Sequence, residues 1–354
     1  MTPKLANYTA AVIGVGKAEA SSVKGGGHQI GHTHGAMLRR GAPRVDLVAA
    51  ADIVPANLDA FCAKFAVPAP FADYRQMLAE ARPDIVSICT YMGLHREMIE
   101  ACAAAGVKAV ICEKPFLPSP ADCRAIRNLV ERTGLKIIIP HIRRYLPVFR
   151  RARELYTGGA VGQPVLCFAG IAGWDLSEMG SHWLDMFRHF HADAPLRWVM
   201  GQARVRDQRG YGHAMEEHAI AYFEFEGGGK GLVDGGCAMN GDINMTLTGT
   251  TGTIRIVGEQ RLVLQTSAGE TTQDFDTEPD SNWEGMWDHL LADLVAWLDG
   301  GPEPILGLTN TLPTCELALG AYLSAKRGDR VDLPLDSDET EWPLEEMARR
   351  ENRG

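Results

Sequence analysis

Short apolar runs alternate with helix-period segments over the first 140 residues, and this alternation constrains the fold more than any other property of the 354-residue chain. Residues 9–14, 45–51, 85–90, 107–112 and 136–139 are largely apolar and too short for helices. Most lack the strict apolar–polar alternation of a half-solvated strand, so they read as strands buried on both faces of a parallel sheet. Residues 34–40, 55–65, 74–81, 95–105 and 120–132 carry helical spacing between them. Gly106 and Gly134 follow two of these helices where helix-ending glycines belong. Repeated strand–helix units with buried strands imply a doubly wound parallel sheet.

The pattern changes near Pro140. Longer strand-like runs follow at 165–171, 196–205, 219–225, 231–237, 244–249, 253–257 and 261–265. Glycine-bearing turns at 226–230 and 249–252 separate consecutive runs, which predicts an antiparallel meander. Helices are expected at 178–190, 283–299 and 312–327. The tail after Asp336 is charged, poor in apolar residues, and expected to fray. The expected organisation is two α/β domains, residues 1–140 and 141–354.

Charge and composition exclude several classes. Lys plus Arg is 35 against 45 Asp plus Glu, a formal net charge of −10, which argues against a nucleic-acid partner, since phosphate contacts need clustered cations. The arginines at 143–153 are interrupted by Tyr145, Leu146, Pro147, Val148 and Phe149, which suits a partly buried loop and helix start. No apolar run reaches membrane-span length, and the N-terminus lacks a signal-peptide pattern. The eight cysteines form no CxxC pair and fit reduced, mostly buried thiols in a cytoplasmic protein.

Two loops carry chemistry. The first strand runs into Gly14-Val15-Gly16, but the third glycine of a GxGxxG fingerprint is absent at its usual place. Reading the residues from Lys17 to about His28 as an insertion makes Gly31 the displaced third glycine. Asp52 then lies 21 residues after Gly31, close to the ~20 expected of the acid that binds an adenosine ribose. A carboxylate there accepts hydrogen bonds from ribose hydroxyls and repels a 2′-phosphate, which predicts NAD rather than NADP. His28, His32 and His34 are read as packing around this loop, with no metal site, because no Cys or carboxylate joins them at ligand spacing. The second loop is Glu113-Lys114-Pro115, directly after the run 107–112. A lysine at the carboxyl end of a parallel strand sits where open α/β sheets bind ligands, and the following proline restricts its backbone.

Several segments occur together in order: Gly14-Val-Gly16, Ala51-Asp52, Asp73-Tyr74, Pro83-Asp84, Thr90 to His95, Glu113-Lys114-Pro115, Arg143-Arg144-Tyr145 with Pro147, Gly180-Ser-His182 with Asp185, and Arg330-Val-Asp-Leu-Pro334. The chain thereby resembles the glucose–fructose oxidoreductase / inositol dehydrogenase (Gfo/Idh/MocA) family over nearly its whole length, Glu-Lys-Pro being the most specific mark and the long glycine loop the departure.

The resemblance implies an N-terminal Rossmann domain followed by an α/β domain with an open, mostly antiparallel sheet that serves homodimer or homotetramer contacts. It implies NAD-dependent oxidation of a sugar, glycoside or polyol. Gly14, Val15, Gly16, Gly31, Asp52, Thr90, His95, Glu113 and Lys114 would serve the cofactor, and Lys114-Pro115 would be a cis peptide. The catalytic pattern carries over to Lys114 and His182, while Glu178 stands where the family's Asp-x-x-x-His has its acid. On a helix at 178–190, residues 178, 182 and 185 would share one polar face toward the cleft. His182, with an ordinary pKa near ~6.5, would take the hydroxyl proton while Lys114 stabilises the oxygen; Lys114 as the base is the alternative. Arg143, Arg144, Tyr145, Trp174, Asp175, Tyr211 and His213 are candidate substrate contacts. An NAD-retaining glycosidase and a non-enzymatic NAD-binding regulator are the rival functions.

Overall fold

The computed structural model describes residues 7–17, 29–41, 43–172, 176–205, 209–210, 212–237, 244–276 and 282–351. The first part builds β1 (Tyr8–Ile13), α1 (Ile30–Arg40), β2 (Val45–Ala51), α2 (Pro55–Phe65), β3 (Ala69–Phe71), α3 (Tyr74–Ala81), β4 (Ile85–Ile88), α4 (Met92–Ala104), β5 (Ala109–Cys112), α5 (Pro120–Thr133) and β6 (Lys136–Ile138). The six strands pair in parallel in the order β3-β2-β1-β4-β5-β6. The order reverses between β1 and β4, and the crevice beyond the carboxyl ends of these two strands is the ligand position of such sheets.

The expected strands and helices are all present. The edge strand β3 is an addition: at three residues, one of them Pro70, it carries no period, and a sheet edge is where proline is tolerated. Helices α1 and α4 begin earlier than their apolar spacing suggested, at Ile30 and Met92.

A short 3-10 turn, Ile142–Tyr145, leads into α6 (Pro147–Thr157). Then come β7 (Pro164–Ala172), α7 (Gly180–Phe190), β8 (Leu196–Arg204), the small hairpin β9 (Arg209–Gly210) and β10 (His213–Ala214), β11 (His218–Phe225), β12 (Lys230–Cys237), β13 (Asn244–Gly249), β14 (Gly252–Val257), β15 (Arg261–Thr266), β16 (Gly269–Asp274), α8 (Trp283–Leu298), α9 (Leu308–Arg327), β17 (Val331–Asp332) and α10 (Pro343–Glu351). Nine strands form one sheet in the order β16-β15-β14-β13-β7-β12-β11-β8-β17.

All neighbours in this sheet are antiparallel except β7 and β12, which run parallel. The sheet is therefore mixed, not the simple meander expected: β7 enters between two hairpin runs. Helices α7 and α9 pack on one face. Alternate residues of β11 are buried beneath them. The close approach of α9 depends on Gly201, where a Cβ would lie 2.1 Å from the Ala321 carbonyl oxygen.

The tail does not fray as expected. Trp342, Leu344 and Ala348 are buried, and Trp342 Nε1 donates to the Ala214 carbonyl at 2.8 Å. Leu344 and Ala348, at i, i+4 on α10, with Trp342 just before the helix, seat it. The later elements also return to the first sheet. Helix α8 packs on α1, Ile139 N–H donates to Leu306 O at 3.1 Å, and Gly307 bridges Ile138 at the β6 edge.

Candidate functional site

Two adjoining clefts lie at the switch point of the first sheet. The outer one, about 350 Å³, is lined by Gly14, Gly16, Asp52, Ile53, Val54, Asn57, Thr90, Leu94 and neighbouring residues. Gly14 and Gly16 have φ of +79° and +66°, conformations that disfavour a side chain. A Cβ at Gly31 would lie 2.4 Å from Val15 O and 2.7 Å from Gly14 O. Gly31 thus lets the first turn of α1 rest directly on the glycine turn, as the displaced third glycine should.

Asp52 directly follows β2. Its carboxylate accepts from Gly16 N at 3.0 Å and Val54 N at 2.8 Å, which fixes it at the cleft wall with further acceptor capacity for hydroxyl donors. The two cations near it in sequence are engaged elsewhere: Arg44 on Asp299, and Lys64 over the Phe65 ring. This cradle fits the adenosine and pyrophosphate of a dinucleotide: the turn has no room for side chains, and its wall presents an acid, with the exposed Lys17 also lining the cleft.

The inner cleft, about 290 Å³, shares Cys89, Thr90 and Tyr91 with the outer one. Lys114, Arg143, Glu178, His182 and His213 all line it. Lys114 sits just past β5, and its peptide bond to Pro115 is cis. Its Nζ donates to the Glu178 carbonyl oxygen at 3.3 Å, and its backbone N–H donates to Glu113 Oε2 at 3.1 Å. The other Glu113 oxygen accepts from His34 Nε2 at 2.9 Å, and the His34 ring lies 4.7 Å from Trp287. Burial alone would raise the Glu113 carboxyl, but the His34 hydrogen bond and charge, with Lys114, bring it below its ordinary value.

His182 stands in the first turn of α7 and is 7% exposed. Its Nδ1 has no hydrogen-bond partner, and its ring meets His141 edge-on at 5.7 Å. Burial, followed by the charges of Arg143 and Lys114, pushes its pKa well below 6.5. The expectation of an ordinary imidazole pKa is thereby corrected downward.

Other expectations are corrected too. Glu178 lies in the turn before α7, not on the helix, and it is its carbonyl that receives Lys114. Asp185 faces the interior instead of the cleft. It has no side-chain exposure and pairs with the equally buried Arg144 at 2.7 and 2.8 Å. Arg144 also reaches Asp193 at 2.9 Å, so it is a structural cation and no substrate contact. A helix of this amphipathicity hid a second polar face, which sequence spacing could not orient.

Tyr145 likewise turns from the cleft: its hydroxyl donates to Asp293 at 2.6 Å and its ring stacks on His289. His95 is fully buried, with Nδ1 2.8 Å from Phe116 O and Nε2 3.0 Å from Thr90 O. It braces the loops after β4 and β5 and does not line either cleft. Arg143 does line the inner cleft; its guanidinium lies over the Trp183 ring at 5.1 Å and pairs with Glu259. Trp174, Asp175 and Tyr211 lie outside the described residues.

Trp283 and Trp287, also on the inner wall, were not singled out from sequence. Their i, i+4 spacing was visible, but only the fold shows that α8 returns to the cleft.

Comparisons with known proteins agree with this geometry. Residues 9–141 match the oxidoreductase family with an NAD-binding Rossmann fold, and residues 149–255 match the GFO/IDH/MocA C-terminal domain. A D-apiose dehydrogenase of Paraburkholderia graminis is 27% identical over 81% of this chain and 83% of its own. A scyllo-inositol 2-dehydrogenase (NAD(+)) of Bacillus subtilis is 23% identical over 87% of this chain and 94% of its own. Among solved structures, an oxidoreductase from Agrobacterium radiobacter, in complex with NAD+, L-tartaric acid and magnesium, superposes with a TM-score of 0.74. It is 22% identical, over 92% of this chain and 98% of that one.

Proposed function

Because the chain belongs to the Gfo/Idh/MocA family of NAD-binding oxidoreductases, we propose that it oxidises a secondary alcohol of a sugar or polyol, the activity class named for its dehydrogenase relatives. Lys114 and His182 line one cavity that shares Cys89, Thr90 and Tyr91 with the glycine-turn cleft, and this carries the reading. Bound NAD supplies the hydride acceptor. Gly14, Val15, Gly16 and the first turn of α1 hold its pyrophosphate, Asp52 its adenosine ribose, and Thr90 and Glu113 the nicotinamide half.

The residues of the inner cleft supply the remaining chemistry. Lys114 donates to the substrate oxygen and stabilises negative charge as the hydroxyl proton leaves. His182, whose Nδ1 has no hydrogen-bond partner, is the proton acceptor. Glu178 orients Lys114 through its carbonyl. His213 and Arg143 contact the substrate. Residues 1–140 serve the cofactor and residues 141–354 the substrate.

The exposed apolar residues Val165, Met200 and Val257 of the large sheet support a homo-oligomer through that sheet. No described helix is long and apolar enough to cross a membrane, which accords with a cytoplasmic enzyme.

The test is net NADH formation, read by fluorescence, across sugars, glycosides, inositols and sugar acids. NADH appearing in proportion to one substrate supports a dehydrogenase. Tight NAD binding with no turnover anywhere in the panel removes it.

A further inference from the structure

The inner cleft lined by Lys114 and His182 is also lined by an exposed aromatic residue, Trp283. Trp283 is the first residue of α8 and is 51% exposed. Large aromatics normally gain stability by burial, so an indole left half in water in the lining of a cavity calls for a reason. Its position is fixed. Asn282 caps the helix by accepting from Gly285 N at 2.7 Å, and the Trp283 ring meets the buried Trp287 edge-on at 6.0 Å. Trp287 is in turn held against His34, the residue that binds Glu113. The indole is thus tied by a short chain of contacts to the Glu-Lys-Pro loop.

The same cavity has His182 nearly closed from solvent, with His213 and Arg143 as further polar lining. Its lining therefore joins polar and charged groups to apolar ones, the half-exposed indole of Trp283 among the latter. A ring compound has that same division: hydroxyl groups around its rim and a continuous C–H face. An acyclic polyol presents hydroxyls along a flexible chain and no such face.

We propose that Trp283 is a stacking platform that selects cyclic substrates, a pyranose or a cyclitol, over open-chain polyols and sugar acids. The C–H face of the ring rests on the indole while a ring hydroxyl reaches Lys114 and His182. This rests on the sugar or polyol dehydrogenase reading but concerns which members of that class are bound, and the two can fail separately.

The experiment measures binding to the NADH-loaded full-length protein by calorimetry, with myo-inositol, D-glucose and methyl β-D-glucopyranoside as cyclic probes and ribitol as the open-chain probe. NADH formation from NAD is followed in parallel. At least one cyclic probe is expected to bind more tightly than ribitol, and Trp283→Ala to weaken that binding by about tenfold, the scale of an aromatic stacking contact, with ribitol little changed. Trp283→Phe should restore part of the loss. Cyclic probes binding no better than ribitol, or an unaltered affinity in Trp283→Ala, overturns the platform. Trp283-dependent binding without any NADH formation keeps the platform and removes the dehydrogenase reading. NADH formation from a ring whose affinity ignores Trp283 does the reverse.

Discussion

Replacing Asp185 with asparagine isolates the buried charge that holds α7, the helix that presents His182. Asp185 and Arg144 are both fully buried and share two hydrogen bonds of 2.7 and 2.8 Å; the Thr314 hydroxyl adds a third at 3.0 Å. Asparagine keeps the shape and removes the charge. Arg144 then retains only Asp193 as a carboxylate partner. Losing one member of a buried pair costs about 3–5 kcal/mol, and the surviving contact puts the expected loss at the low end, about 3 kcal/mol. For a chain of 354 residues unfolding as one unit, at about 2.1 cal/mol/K of unfolding entropy per residue, that is a fall in Tm of roughly 4 °C.

The pH dependence adds a second constraint. Burial alone would raise the Asp185 carboxyl, but the charge of Arg144, then that of His141, and the Arg144 hydrogen bonds hold it far below the usual carboxylate range. A carboxyl depressed in the folded state contributes stability above its unfolded value near ~3.9 and loses it as pH falls toward the folded value. Urea denaturation of both proteins, read by tryptophan fluorescence, should show the full gap from pH 7 to 5 and a narrowing only below about pH 4. A gap under 1 kcal/mol at pH 7, or one that closes between pH 7 and 5, refutes the reasoning.

Lys114→Ala should lower kcat by roughly 10²–10⁴ with NADH affinity retained; wild-type turnover in steady-state assays would remove Lys114 from the chemistry. Asp52→Ala should narrow the ratio of kcat/KM with NAD to that with NADP by at least tenfold, since a carboxylate's hydrogen bonds contribute about 1.5–3 kcal/mol; an unchanged ratio rejects the ribose assignment. Gly31→Ala forces a methyl group against two carbonyl oxygens. It should cost about 1–3 kcal/mol of stability and weaken NAD binding in fluorescence titration, and neither would occur if the α1 contact were loose. Burial lowers His141 and His191 to about 4 and His189 to about 3, so the unfolded chain binds more protons below pH 6.5. Stability should therefore begin to fall as pH drops through 6.5, before the carboxylates titrate, and a flat Tm between pH 7 and 5 would contradict these burials.

What was legible in the sequence was what local chemistry dictates. Apolar runs placed five of the six strands of the first sheet to within about two residues at either end, because strands buried on both faces are apolar throughout, whereas the three-residue edge strand β3 left no such run. Gly31 could be placed by spacing because a close approach of helix to turn tolerates no side chain. Long-range pairing was not legible. The parallel contact of β7 with β12 joins residues more than 60 apart in the chain, and nothing local distinguishes it from another hairpin. The polar residues of α7 illustrate the same limit at the site: spacing placed Glu178, His182 and Asp185 together, yet the helix starts after Glu178, and Asp185 turns inward because Arg144, 41 positions away, supplies its counter-charge. The short polar strand β16 has all six residues exposed, so it has no burial to leave a pattern.

Helix α8 and residues 305–307 cover surfaces made by the first 140 residues. A growing chain leaves the ribosome with that nucleotide-binding half complete in sequence but with the outer face of α1 and the rim of β6 bare, until almost 170 further residues have emerged. Hydrophobic surface waiting that long is open to aggregation and to chaperones. Translation that stops short of α8 should therefore yield a protease-sensitive fragment, whereas the completed chain protects the same peptide bonds.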